Sequence, residues 1–184
     1  MVPVHTGVSL NLVQDYLEVA RAAAAILGPS GSPLAGPHGH PGLHNAVFTV
    51  LSMELLYSYL AVEAFLALAE TEAGLGAREP GLAPRLDALC AAWASVPIAE
   101  ADPDLEADLR VLDRDASVLL GRGHASNGER ESAIRDLLAG SSTERYADVA
   151  ERTLRHLLKL RGAPQPDWLT RNVLLDLRAS LVQR

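Results

Sequence analysis

The feature that most constrains this chain is a long, almost unbroken apolar stretch from about His44 to about Ala73. At 100° per residue, Asn45, Ser52, Tyr59, Glu63 and Glu70 fall on one narrow stripe, with Glu54 and Ser58 as a second, shorter polar interruption. The other positions are mostly Val, Leu, Ala, Phe and Met. A helix that is apolar over most of its circumference must be covered by neighbours on several sides. This segment is therefore expected to be the hub of an all-α bundle.

The rest of the chain reads the same way. Leu and Ala dominate, and both lose little side-chain freedom in a helix. Aromatic residues make up only 4%, so strand formers are scarce. A first helix is expected from about Ser9 to Leu27, with Leu10, Val13, Leu17, Ala20 and Ala24 on one side, ending at Gly28-Pro29. Residues 28–42 hold nine Gly or Pro among fifteen and read as a flexible loop.

Beyond the hub, Leu86, Leu89, Cys90 and Trp93 mark a helix ending near Pro97. Asp104 is expected to cap the next one, through Leu105, Leu109, Leu112, Ala116 and Leu119. A short helix through Ile134, Leu137 and Leu138 follows. Ser141 and Glu144 have the spacing of a capping box before a helix that runs to about Leu160. A last helix begins at Asp167 and packs through Leu169, Val173, Leu177 and Leu181. The expected architecture is a single-domain antiparallel bundle of six to seven helices spanning residues 1–184.

Charge excludes one class of function. The net charge is −7, whereas nonspecific nucleic-acid binding needs clustered Lys and Arg to displace counterions. The single cysteine, Cys90, leaves no disulfide within the chain, which favours a reducing compartment. The N-terminus shows no cationic start followed by an apolar signal core. The apolar run from Leu55 to Ala69 is interrupted by Tyr57, Ser58, Tyr59 and Glu63, and reads as too broken to span a bilayer. A cytoplasmic protein is expected.

Three clusters could carry chemistry. His38, His40 and His44 could hold a borderline metal such as zinc through imidazole nitrogens. The glycine-proline segment offers nothing rigid to hold them, so the favoured reading is a loop that carries histidines. The hub carboxylates suggest a di-metal bundle, which needs Glu-x-x-His motifs, and none occurs. No cofactor is expected. Glu63 is then expected to be paired within the fold, because an unpaired buried carboxylate is too costly. The third cluster is Arg152, Arg155, His156 and Lys159, at i, i+3, i+4 and i+7. Positive charge near a helix C-terminus complements the macrodipole, so a solvated face is favoured over a phosphate site. Gly-x-Ser-x-Gly, phosphate-loop and Rossmann patterns are all absent from the sequence.

The run Leu56-Tyr57-Ser58-Tyr59-Leu60-Ala61-Val62-Glu63-Ala64-Phe65-Leu66 resembles the second helix of HEPN (higher eukaryotes and prokaryotes nucleotide-binding) domains. That helix often reads aromatic, aliphatic, Glu, Ala, Phe. A later helix of that family carries Arg, a polar residue, and a His after a gap of four to six residues. In catalytic members these form a metal-independent ribonuclease site, usually across a dimer. The corresponding segment here is Leu109 to Leu119, with Arg114 and Asp115 at the Arg-polar step; the resemblance covers roughly residues 44 to 125. Where the family has its His, this chain has Leu119, Leu120 or Gly121, and His124 lies ten residues beyond Arg114.

The resemblance thus implies a non-catalytic binding or regulatory module, and the isolation of Glu63 and Arg114 among apolar residues at helical spacing points to a buried or half-buried polar core pair between two helices. Such a module would act as a homodimer or through a partner protein, with RNA open as a partner. The first alternative is a ribonuclease of a toxin or phage-defence system, using Arg114 and His124. The second is a small-ligand or metal-binding bundle centred on residues 28–42.

Overall fold

A computed structural model describes residues 5–27, 41–76, 81–122, 126–129, 132 and 145–160. The chain is an all-α antiparallel bundle around one long central helix, and the described residues contain no strand. The helices are α1 (His5–Leu27), α2 (Pro41–Glu72), α3 (Leu82–Ala92), α4 (Ile98–Ala101), α5 (Pro103–Leu119) and α6 (Tyr146–Lys159).

The hub expected from the sequence is α2, which packs on α1, α3, α5 and α6. It begins inside the segment expected to be loop, with Pro41 at its start. Proline is tolerated there because the first helical N–H groups lack partners in any case. Leu55, Ala61, Val62, Phe65, Leu66 and Ala69 are buried in a core shared with Leu17, Leu86, Leu109 and Leu154. Each such Leu or Phe removed from water contributes about 1.5–3 kcal/mol before entropy is counted. Cys90 is buried and free, and burial pushes its thiol up to about 11, so it packs as a small hydrophobe.

Helix ends follow local chemistry. After α2, Gly74 takes a left-handed conformation (φ +70°), and Leu75 N–H donates to Glu70 O at 3.0 Å. After α5, Gly121 (φ +70°) does the same, with Arg122 N–H donating to Ser117 O at 2.8 Å. Both closures satisfy carbonyls that the helix leaves open. The cap of α5 differs from expectation. Asp102, not Asp104, accepts from Leu105 N–H at 3.0 Å, because Pro103 occupies the first helical position. The short α4 was not expected from the sequence. The segments expected to form a helix near Ile134, the Ser141 and Glu144 capping box and a final helix from Asp167 lie outside the described residues.

One expectation needs correcting. By length and composition alone, the 27 residues of Ala46–Glu72 are apolar enough to cross a membrane, with a mean hydropathy of 1.5 over an eighteen-residue stretch. Its polar interruptions are outweighed by Val, Leu, Phe and Ala. Its Glu54 and Glu70 are buried and ion-paired to neighbouring helices.

Candidate functional site

The polar stripe of α2 opens into two clusters of side chains, one in each half of the helix. In the C-terminal half, Arg85 from the first turn of α3 reaches back to α2. Its Nε and Nη2 donate to the two oxygens of Glu70 at 2.6 and 2.9 Å, and its Nη1 donates to Glu63. Arg85 and Glu70 are buried, and Glu63 lies at the edge of the cluster. Two parallel bonds from one guanidinium fix the rotation of α3 as well as its distance.

Asp113 of α5 joins this cluster. A Cβ placed on Gly81 would stand 3.1 Å from Asp113 Oδ2, and Gly81 sits at φ +90° as the residue capping α3. Glycine suits this position for its backbone conformation, and a Cβ here would also press on the Asp113 carboxylate. Burial pushes the Asp113 carboxyl up; Arg122 opposes this, Glu63 adds to it, and Arg85 opposes it. Arg122 is carried back over the bundle by the turn at Gly121. Its Nη1 donates to Tyr59 Oη at 3.2 Å, and its guanidinium carbon lies 6.0 Å from the ring centroid.

In the N-terminal half, Glu54 is fully buried. Arg145 donates to it through Nε at 3.1 Å and through Nη2, and Ala147 N–H donates at 3.3 Å from the first turn of α6. Burial raises the Glu54 carboxyl above its ordinary value, outweighing Arg145 and the Ala147 N–H. Beside it, Tyr146 Oη donates to Asp115 Oδ2 at 2.7 Å, and Arg114 Nε donates to Asp115 Oδ1 at 2.7 Å. Burial and the Asp115 hydrogen bond push the Tyr146 hydroxyl up, so it stays a donor. At the other end of the same helix pair, Arg152 of α6 holds Asp108 at 3.1 Å and Asp102 at 3.2 Å. These ties at both ends set α5 and α6 antiparallel.

The expected pair between Glu63 and Arg114 is not formed. Glu63 meets Arg85, while Arg114 lies with 59% of its side chain exposed and serves Asp115. The reason is helical phase. Arg114 precedes Asp115 by one position, 100° around α5, and it is Asp115 that faces the core with Leu112 and Ala116. Of the basic cluster, Arg155 pairs with Glu151, which also takes Arg21 of α1 at 2.8 Å, and Arg152 bridges to α5. His156 is half-buried, and Lys159 is the last residue of α6. His124, His38 and His40 lie outside the described residues, and His44 belongs to the first turns of α2. Among the described residues, no group of three or more His, Cys, Asp or Glu is placed to hold a metal ion.

Sequence reasoning missed Arg85, Arg122 and Arg145, and the inward place of Asp115. Two of these carried a signal. Arg85 stands three residues after Leu82 and four before Leu89, and Asp115 three after Leu112, so both interrupt an apolar face at helical spacing. The chain matches no protein-family model, no characterised protein and no solved structure. What the geometry can do chemically follows from its pairings. Each of Glu54, Glu63, Glu70 and Asp115 meets a guanidinium, and two of them also take a tyrosine hydroxyl or a helix N–H, an arrangement that locks helices together.

Proposed function

We propose that this chain is a cytoplasmic binding and regulatory module, HEPN-like in its helical layout, that acts through association with another protein surface rather than by turnover. The observation that carries this reading is the engagement of both residues singled out by the resemblance. Glu63 holds α3 through Arg85, and Arg114 holds the carboxylate that anchors Tyr146 of α6. Glu63 is committed to an inter-helix tie, and Arg114 is held to the neighbouring carboxylate of its own helix, which supports a structural use of both over proton transfer on a substrate. The buried, free Cys90 supports a reducing compartment.

The test is incubation of purified protein with a mixed RNA pool, beside the variants Arg114→Ala and His124→Ala. The expected result is no cleavage by any of the three. Cleavage by the native chain that is lost in both variants would replace this reading with the ribonuclease one.

A further inference from the structure

We draw no further inference here: the strongest candidate, the exposed apolar corner between α3 and α4 formed by Ala94, Val96, Pro97 and Ala99, is a short patch of mostly small residues, and nothing in the structure shows what covers it.

Discussion

Arg85 grips Glu70 through two parallel hydrogen bonds, from Nε at 2.6 Å and from Nη2 at 2.9 Å, and both side chains are almost wholly buried. The contact spans only fifteen residues of sequence, yet it fixes how α3 lies on α2. Removing one partner strands the other charge away from water. Arg85→Ala is expected to cost about 3–5 kcal/mol, read as the shift in a denaturant unfolding curve. Glu70→Gln with Arg85→Met should cost much less, because it removes both charges together. Equal losses in the two variants would remove burial of the unpaired charge as the cause.

Glu54 and Glu151 should respond to pH in opposite senses. Burial raises the Glu54 carboxyl above its unfolded value of 4.5, so the folded state binds its proton more tightly. Its contribution is fully present below that value and is lost as pH rises through the folded pKa. Burial of Glu151 acts the same way, but Arg21 and then Arg155 outweigh it and hold the carboxyl lower than 4.5. Its contribution is present above 4.5 and is lost as pH falls through the folded pKa. The stability difference between the native chain and Glu54→Gln should therefore shrink as pH rises from about 4 to about 7. The difference for Glu151→Gln should grow. Parallel slopes would contradict both assignments.

The hydroxyl of Tyr146 is the α6 contribution to the Asp115 carboxylate. Tyr146→Phe keeps the ring in the core and leaves Asp115 Oδ2 without that donor at a buried position. The expected loss is about 1–3 kcal/mol, measurable by thermal or urea unfolding. An unchanged midpoint would mean that another donor replaces the tyrosine.

Ala94 closes α3 at φ +49°, with Ser95 N–H donating to Cys90 O at 2.7 Å. This is the geometry that Gly74 and Gly121 adopt after α2 and α5. An L side chain in the left-handed region costs about 1–2 kcal/mol, while glycine adds some entropy to the unfolded chain. Ala94→Gly should therefore stabilise the protein by roughly 0.5–1 kcal/mol, raising Tm by about 1–4 °C. A lower Tm would show that the methyl group makes a packing contact worth more than the backbone strain.

What the sequence alone determined was the longer helices α1, α2, α3, α5 and α6 and the place of the longest at their centre, but not the four-residue α4. Apolar spacing is local information, and it marked the buried faces of α1, α5 and α6 because 3.6 residues per turn bring Leu105, Leu109 and Leu112 onto one side whatever lies opposite. It also marked Glu63 as a residue that must find a partner. The partner itself was decided only by the tertiary structure. Glu63 meets Arg85, twenty-two residues away, and Glu54 meets Arg145, ninety-one away. Periodicity states which residues share a face, but not the rotation of one helix against the next. A turn of 100° separates Arg114 from Asp115, and packing of Leu112 and Ala116 into the core gave the inward place to the acid. The same packing covered α2 on the sides of Glu54, Phe65 and Glu70 and left Met53 and Thr71 exposed, a division that an almost uniformly apolar helix does not encode by itself.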